Sequence, residues 1–242
     1  MAKYKTDLSL DSPERTLMHR DTILRKRPLK KLYTEWYSNF SKELISLPNE
    51  TFVEIGSGGG FFKQLEPSAI CSDVIDLPTN DLTFSALEFP FDNQSVGGIF
   101  MIDTMHHIPD SARFLDEANR VLAVNGVIMM IEPANTIWGR FIYKNFHHEA
   151  FNPKGDWTIP DTGPLSGANG ALPWIVFIRD YSLFKAKYPD LEIAKIDYIN
   201  PLTYLLTGGV SHSQFLPSFM FPLVRALDRL LPKYQRTSPC SC

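Results

Sequence analysis

The sequence lacks the features typical of membrane-spanning or nucleic-acid-binding proteins. No apolar run is long enough to cross a bilayer, and residues 1–16 contain no apolar core like that of a signal peptide. The formal net charge of −3 does not suit a protein that binds nucleic acid through bulk electrostatics. We therefore expect a cytoplasmic protein without a nucleic-acid partner.

Cysteine is also scarce, with three residues in a chain of 242, which fits a reducing compartment. Cys71 lies in an apolar run and is predicted to be a small core residue. Cys240 and Cys242 are one residue apart in the tail "TSPCSC", where no third type of metal ligand is near. This spacing predicts a reducible tail rather than a metal site.

The middle of the chain, residues 51–133, alternates between strand and helix patterns. The runs "TFVEIG", "AICSDV" and "VGGIFMID" predict buried strands, "DLTFS" a weaker strand and "VIMMIEP" a central one. The segment "SARFLDEANRVLA" predicts a helix whose apolar face contains Phe114, Leu115, Ala118, Val121 and Leu122. This order predicts an α/β fold with a Rossmann-like, doubly wound and mostly parallel sheet.

The flanking regions are mostly helical in pattern. The chain before about Thr22 is polar, and we expect it to be partly irregular. Apolar residues then recur at helical spacing, at Leu29, Leu32, Tyr33, Trp36, Tyr37, Phe40 and Leu44. The basic residues Arg25, Lys26, Arg27, Lys30 and Lys31 predict a solvated face; contact with an anionic substrate or a membrane surface is the alternative.

After Pro133 we expect a helix in "TIWGRFIYKNFHHEAF", followed by a long Gly- and Pro-rich loop. Its aromatic and apolar residues indicate an ordered loop. The region makes Asp156, Trp157, Asn169 and Trp174 candidates for a binding pocket, with packing as the favoured role of the two tryptophans. Then "WIVFIRDYSLFKAKYP" predicts a helix and "LEIAKIDYI" a strand. Residues 214–231 predict a helical region broken by two prolines.

The most informative stretch is "VEIGSGGGFF", which holds four of the chain's 14 glycines in five residues. Such a cluster at a strand end is typical of backbone that comes close to a ligand. A P-loop would need Lys and then Ser or Thr after the last glycine, but Phe61 and Phe62 follow it. A dinucleotide fingerprint would need a third glycine at the position of Phe61.

The acid before the glycines favours a ligand with a positive end, because it would repel a pyrophosphate. S-adenosylmethionine carries a sulfonium and an ammonium group, and Glu54 could orient the ammonium directly or through water. Asp73, at the end of the next strand, is the candidate for the two ribose hydroxyls, and Asp76 is the fallback. Asp76 also has the spacing of the acid in a dinucleotide site, so spacing alone does not separate the two ligands.

Three segments in order resemble the class I S-adenosylmethionine-dependent methyltransferases, in particular their type 11 group. They are "VEIGSGGG", "SALEFPFDNQSVGGIFMIDTMHHIPD" and "FLDEANRVLAVNGVIMMIEP". The later stretch from "FHHEAF" to "GPLSGANGALPW" resembles a bacterial subgroup linked with surface-polysaccharide or glycan pathways. The resemblance implies one domain with a seven-stranded sheet: an N-terminal helical cap (1–48), a cofactor-binding half (49–133) and an acceptor-side half (134–242).

The resemblance implies that S-adenosylmethionine is the cofactor and a small molecule the methyl acceptor. The implied cofactor-binding residues are Glu54, Gly56, Ser57, Gly58, Gly60, Asp73, Ser85, Ala86, Leu87, Ile102 and Asp103. The family usually has an acid before the segment at Ser85, so we expect the adenine to meet backbone groups here. A sugar, a lipid-linked glycan or a phenol-like hydroxyl is the expected acceptor.

Histidine suits proton removal from an acceptor near neutral pH, and two His pairs are present. His107 follows the fourth predicted strand, and His148 precedes the long loop, so both are candidate catalytic residues. Adjacent histidines do not have the i, i+4 spacing of a helical zinc site, so we expect no metal. A non-catalytic S-adenosylmethionine-binding protein and a nicotinamide-dependent oxidoreductase are the alternatives, and contact with a membrane surface stays open.

Overall fold

The computed structural model describes residues 7–48, 51–147, 149–199 and 202–230. The candidate catalytic residue His148 and the tail cysteines Cys240 and Cys242 lie outside these residues. The described helices are α1 (Pro13–Arg25), α2 (Arg27–Leu44), α3 (Phe62–Leu65), α4 (Ser111–Val121), α5 (Ile137–Phe146), α6 (Leu172–Trp174), α7 (Tyr181–Lys187), α8 (Leu202–Thr207) and α9 (Phe221–Leu230). No helix in this part of the chain combines the length and the apolar character that a bilayer crossing requires.

The strands of the described chain form one parallel sheet with the order β3-β2-β1-β4-β5. They are β1 (Phe52–Ile55), β2 (Ile70–Asp73), β3 (Leu82–Thr83), β4 (Val96–Ile102) and β5 (Leu122–Ile131). The order reverses between β1 and β4, which in an open α/β sheet creates a crevice at the carboxyl ends of the strands. The prediction of a doubly wound, parallel α/β sheet is confirmed.

Two cores cover the two faces of the sheet, because side chains alternate along β4. Ile99 and Met101 pack with α4 and the segment around α6 and α7, and Phe100 and Ile102 pack with α2, α3 and α9. All seven apolar residues predicted to share one face of α2 are buried, as are the five predicted for α4 and its end. Each helix therefore presents its predicted face to the sheet.

The first stretch was expected to be partly irregular, and this holds for residues 7–12 of the described chain, whereas Pro13–Arg25 form helix α1, which was not predicted. Ser12 caps it by accepting a hydrogen bond from the Arg15 backbone N–H (3.2 Å), and Pro13 occupies its first turn. The buried residues of α1 are Arg15, Thr16, Thr22 and Ile23, of which only one is apolar. A helix that buries polar side chains has no apolar periodicity to reveal it.

Two strand predictions also need correction. Residues 191–199 form no strand, although Leu191 and Ile193 pack against the core; the alternation therefore indicates a half-buried extended segment without a backbone ladder. The described sheet accordingly has five strands rather than seven. The apolar strand "VIMMIEP", predicted to be central, is β5 at the edge of this sheet, because an apolar run indicates covered faces but does not identify neighbouring strands.

Candidate active site

A cavity of about 650 Å³ lies at the carboxyl ends of the central strands and is lined by residues from all three predicted parts of the chain. Every predicted cofactor-binding residue lines it: Glu54, Gly56, Ser57, Gly58, Gly60, Asp73, Ser85, Ala86, Leu87, Ile102 and Asp103. The candidate base His107 also lines it. The pocket candidates Asp156 and Asn169 do not line it. Trp157 and Trp174, for which packing was the favoured role, do not line it either, and Trp157 packs against the core.

The described cavity lining is strongly acidic. Seven of its residues are Asp or Glu, whereas Arg225 is the one Lys or Arg among them. The Arg225 guanidinium is already paired with Glu35 (Nε to Oε2, 2.7 Å). A ligand bound here therefore meets carboxylates, which attract a cation and repel a phosphate.

The glycine loop, residues 56–60, is closely packed against other parts of the protein. Gly56 has a φ of +64°, and a Cβ there would lie 2.5 Å from Thr104 Oγ1. A Cβ at Gly60 would overlap the Tyr37 hydroxyl, and the Gly60 carbonyl accepts a hydrogen bond from Arg20 of α1. The glycines thus let α1, α2 and the turn after β4 approach the loop, a structural requirement that the sequence analysis missed.

Glu54, at the end of β1, is almost fully buried beside this loop. Its carboxylate accepts a hydrogen bond from the Tyr37 hydroxyl and one from Cys71 Sγ (3.5 Å). Burial raises the pKa of the Glu54 carboxyl group to about 8, and the two hydrogen bonds act in the opposite direction. Near neutral pH this group is therefore mostly neutral, and a cation placed against it would favour its ionised form.

Asp73, at the end of β2, holds the neighbouring backbone. Its Oδ2 accepts a hydrogen bond from the Gly58 N–H (3.0 Å), and its Oδ1 accepts one from the Ile75 N–H (2.9 Å). Burial raises the pKa of Asp73 above its usual value, and these backbone hydrogen bonds oppose the shift. Asp76 does not line the cavity, and its Oδ1 accepts from the Thr83 hydroxyl at 3.3 Å. The geometry therefore favours Asp73 over Asp76 as the ribose acid.

Asp103 follows β4 with a positive φ of 51°, and its N–H donates to the Ile131 carbonyl (2.8 Å). Asp103 is an exposed residue, and it lines the cavity. Desolvation in the cavity wall raises the pKa of Asp103 to about 7, and the charge of His106 offsets part of that shift. The side chain therefore sits between the glycine loop and the histidines that follow.

A cluster of histidines and glutamates forms another wall. His106 Nδ1 lies 2.7 Å from Glu132 Oε2, and His106 Nε2 lies 3.3 Å from Glu149 Oε2. Glu149 also approaches His107 Nε2 (3.6 Å) and His147 Nδ1 (3.4 Å). The second oxygen of Glu132 accepts the backbone N–H groups of the turn after β4, at 2.8 and 2.6 Å. We call His106, His107, Glu132 and Glu149 the His–Glu cluster.

Neighbouring charges determine the direction in which the pKa values of His106 and Glu149 shift. Burial disfavours protonated His106, but Glu132 and Glu149 outweigh that effect and raise the pKa of His106 to about 10. Burial also disfavours ionised Glu149, yet the surrounding histidines lower the pKa of Glu149 to about 2. Burial and the charge of His106 lower the pKa of His107. A positive charge is therefore strongly favoured between the two glutamates.

Residues 60–130 match the methyltransferase-domain family Methyltransf_11. The matched segment runs from the last glycine of the loop to β5 and includes β2, β4 and α4. This part of the chain is therefore similar to a methyltransferase domain. The family is dependent on S-adenosylmethionine, so the match implies that cofactor for the domain. It also disfavours the nicotinamide-dependent alternative.

Solved methyltransferase structures resemble parts of the chain. They include geranyl diphosphate C-methyltransferase from Streptomyces coelicolor (16% identity, 58% of this chain, 63% of that chain, TM-score 0.38). A methyltransferase from Thermotoga maritima aligns at 24% identity over 55% of this chain and 62% of that chain, with a TM-score of 0.35. The chain thus spans less than two thirds of either protein, and TM-scores this low add nothing to the assignment. A search of curated proteins finds no match.

The polar groups that line the cavity fit S-adenosylmethionine. Glu54 and Asp73 are buried carboxylates on either side of the glycine loop, and both line the acidic cavity. The sequence analysis missed the contribution of α1 and α2, from which Thr16, His19 and Tyr37 reach the cavity. The aromatic stripe of α2 was a detectable signal of a buried face, but nothing in the sequence indicated that it would close a cavity.

Proposed function

We propose that this protein transfers the methyl group of S-adenosylmethionine to a small-molecule acceptor within the 650 Å³ cavity. The observation that carries the proposal is the acidic lining, with seven carboxylic acids and one arginine among its described residues. This balance supports a sulfonium nucleoside over a pyrophosphate-bearing dinucleotide. The match of residues 60–130 to a methyltransferase family supports the same reaction class.

Each predicted cofactor residue has a role in this proposal. Glu54 orients the ammonium group, and the backbone of the glycine loop contacts the methionine portion. Asp73 accepts the ribose hydroxyls, while the backbone of residues 85–87 meets the adenine. Methyl transfer is a direct displacement at the sulfonium carbon, so the protein contributes mainly alignment and exclusion of water. Ile102 and Asp103, at the end of β4, border the path between cofactor and acceptor.

In this proposal the acceptor's proton goes to Nε2 of His107, because burial and the charge of His106 lower the pKa of His107 and keep its ring neutral. Nε2 of His107 lies 3.6 Å from Glu149 Oε1, and its Nδ1 lies 2.9 Å from the Gly167 carbonyl. Both ring nitrogens of His107 are thus directed at protein oxygens. The prediction that His148 is catalytic remains a prediction, because that residue lies outside the described chain.

We infer that the acceptor carries a hydroxyl on a sugar, a lipid-linked glycan or a phenol-like ring. Helix α5 exposes Ile137, Trp138 and Phe141 (67%, 62% and 49% of their surfaces), and Trp138 also lines the cavity. An exposed apolar cluster at a cavity rim supports an acceptor with an apolar portion outside the reacting hydroxyl.

A lipid-linked acceptor is further supported by α9. Leu223, Leu227 and Leu230 follow one another at i, i+4 and i+7, and 59%, 45% and 80% of their surfaces are exposed. Such a stripe is typical of helices that lie on a membrane surface. Co-sedimentation with anionic lipid vesicles, compared between the wild type and Leu223→Ser/Leu227→Ser, tests this contact; equal binding by the two proteins would exclude α9.

The proposed reaction is tested by calorimetry and by turnover. We expect binding of S-adenosylmethionine and S-adenosylhomocysteine and none of NAD. Formation of S-adenosylhomocysteine should then depend on added acceptor, with hydroxyl-bearing glycosides, polyprenyl-linked sugars and phenols as the panel. Binding without turnover on any acceptor would support the non-catalytic alternative, and binding of NAD alone would end the proposal.

A further inference from the structure

The strongest unassigned feature of the molecule is the convergence of His106, His107 and Glu149. One donor atom from each of these three side chains lies within 4.8 Å of the others. Two of the residues come from the turn after β4 and the third follows α5, so the fold brings them together from distant parts of the sequence. All three line the cavity.

The hydrogen bonds of the two histidines define which ring nitrogens face the centre of this group. His106 Nδ1 lies 2.7 Å from the Glu132 carboxylate, and His107 Nδ1 lies 2.9 Å from the Gly167 carbonyl. An ionised carboxylate and a carbonyl only accept hydrogen bonds, so each Nδ1 carries its hydrogen. In the neutral tautomers both Nε2 lone pairs therefore point toward the Glu149 carboxylate.

Lone pairs that face a carboxylate repel it unless a positive charge lies between them. A proton on His106 Nε2 satisfies that nitrogen, as the raised pKa of His106 indicates, but Nε2 of His107 still faces the carboxylate. A second proton would place two imidazolium ions next to each other, with ring centroids 4.3 Å apart, and they would repel each other. A single divalent cation satisfies both nitrogens and the carboxylate at once. Metal-binding histidines also commonly donate their other N–H to a carboxylate or a backbone carbonyl, as both do here.

We propose that His106, His107 and Glu149 bind a divalent transition-metal ion at the cavity wall. Tetrahedral bonds of about 2.0–2.2 Å place neighbouring donor atoms roughly 3.3–3.5 Å apart. Nε2 of His106 lies 3.3 Å from Glu149 Oε2, and Nε2 of His107 lies 3.6 Å from Glu149 Oε1. One donor atom from each residue lies within 4.8 Å of the others, so metal binding would draw the three side chains closer together. Two imidazoles and one carboxylate suit Zn²⁺, Co²⁺ or Fe²⁺ better than Mg²⁺ or Ca²⁺.

Three protein ligands leave a coordination position for water or for an oxygen of the acceptor. This use of the metal rests on the proposed methyl transfer, whereas the metal site itself does not. An acceptor hydroxyl bound to the metal would lose its proton more readily, because coordination lowers the pKa of bound oxygen acids. The proton would then go to solvent instead of to His107, because the metal occupies Nε2 of His107. The oxygen then bonds to the methyl carbon as the carbon–sulfur bond breaks and its electron pair returns to sulfur.

The direct test is metal binding by the purified, full-length protein. Cys240→Ser and Cys242→Ser form the background, because thiolates in the tail would bind Zn²⁺ independently. After treatment with a chelator and dialysis, we expect one Zn²⁺ per chain in calorimetric titration. Glu149→Gln and His106→Ala should weaken binding at least about 100-fold, and Glu132→Gln should weaken it about 10–100-fold through loss of the outer hydrogen bond.

His212→Ala is the matched control, since this histidine lies outside the cavity lining; its affinity for Zn²⁺ should equal that of the background protein. Circular dichroism of each chelator-treated variant checks that it folds. Binding that persists unchanged in both Glu149→Gln and His106→Ala, or the absence of stoichiometric binding, would overturn the proposal.

Spectroscopy of Co²⁺ bound to the Cys240→Ser/Cys242→Ser background protein needs no ligand variant. We expect d–d absorption bands of a nitrogen- and oxygen-ligated ion, without a thiolate-to-metal charge-transfer band. A charge-transfer band as the dominant signal would place the metal on cysteine and contradict the proposed site. Both readouts measure metal binding rather than turnover. A failure of the methyltransferase assay would therefore not affect the outcome of this test.

Discussion

Among single residues, Glu54 connects local chemistry most directly with the proposed function. It is buried among Tyr37, Cys71 and Asp73, and Arg20 contributes an opposing charge. Burial raises the pKa of Glu54 to about 8, so ionisation costs free energy in the absence of a ligand. The ammonium group of S-adenosylmethionine would favour ionised Glu54, and binding at neutral pH should therefore release a proton.

We accordingly expect the affinity for S-adenosylmethionine to rise between pH 6.5 and 8, by at most about tenfold per pH unit. Above pH 8 the gain should stop, because Glu54 is then ionised before the ligand binds. Glu54→Gln should remove this part of the pH dependence, and the difference between the two proteins isolates it from titration of Asp103. Calorimetry at several pH values measures the affinity of the wild type and of Glu54→Gln for S-adenosylmethionine.

Methylthioadenosine provides the ligand control for this prediction, because it lacks the amino-acid portion and its ammonium group. Its affinity should show the same pH dependence in wild type and Glu54→Gln. If S-adenosylmethionine also gives parallel pH profiles in the two proteins, Glu54 does not meet the ammonium group.

Asp73 and Asp76 are separated by a matched pair of substitutions. Asp73→Asn places an amide N–H against a backbone N–H of Gly58 or Ile75, and it weakens the predicted ribose contact. Loss of a hydrogen bond to a charged group costs about 1.5–3 kcal/mol, so we expect a roughly 10- to 100-fold weaker affinity for S-adenosylmethionine. Asp76→Asn should leave the affinity unchanged in the same calorimetric assay. A larger loss of affinity in Asp76→Asn than in Asp73→Asn would mean that Asp76, not Asp73, contacts the ribose hydroxyls.

The elements show which parts of the fold are predictable from sequence. The helices α2 and α4 were predicted correctly because each buries an apolar face with a regular repeat. Helix α1 buries mostly polar side chains and was missed. For residues 191–199 and for β5, the apolar pattern overestimated burial: Leu122 is the one buried residue of β5, and none of residues 191–199 is buried. Strand neighbours also depend on backbone pairing between distant segments, which the pattern does not contain.

Lys26, between α1 and α2, departs from the predicted solvated basic face. It is buried, and its Nζ donates to the carbonyls of Thr207 (3.2 Å), Gly209 (2.6 Å) and His212 (2.5 Å). Lys26→Met leaves these carbonyls without that donor, so the free energy of unfolding should fall by about 1–3 kcal/mol in urea denaturation.

The neighbouring Arg27→Met is the control for Lys26→Met, because Arg27 is exposed. Its effect on the free energy of unfolding should stay within about 0.5 kcal/mol. Equal effects of the two substitutions would mean that the three carbonyl contacts of Lys26 do not stabilise the junction between the first helices and the turn after α8.

At the scale of the whole molecule, the candidate site could be predicted only where its residues are close in sequence. The glycine loop and the strand-end acids belong to short segments with recognisable spacing, and all of them line the cavity. The His–Glu cluster joins residues 26 to 43 positions apart, such as His106 with Glu132 and with Glu149. No periodicity or motif records such distances; only the packing of β5 and α5 beside β4 creates them.

The segment that leads into the first helix is hydrogen-bonded to the acceptor-side loop, and the helix itself lines the cavity. Asp11 Oδ1 accepts the backbone N–H groups of Leu165 (2.7 Å) and Ser166 (2.9 Å), and Thr16 and His19 of α1 line the cavity. Ligand binding should therefore stabilise α1 and the glycine loop together.

Hydrogen exchange with and without S-adenosylhomocysteine measures this stabilisation: we expect slower exchange at amides of both Pro13–Arg25 and residues 56–60. Helix α4, which does not line the cavity, is the internal reference and should not change. Protection confined to the glycine loop would show that α1 does not cover the bound cofactor, and the N-terminal cap would then have only a packing role.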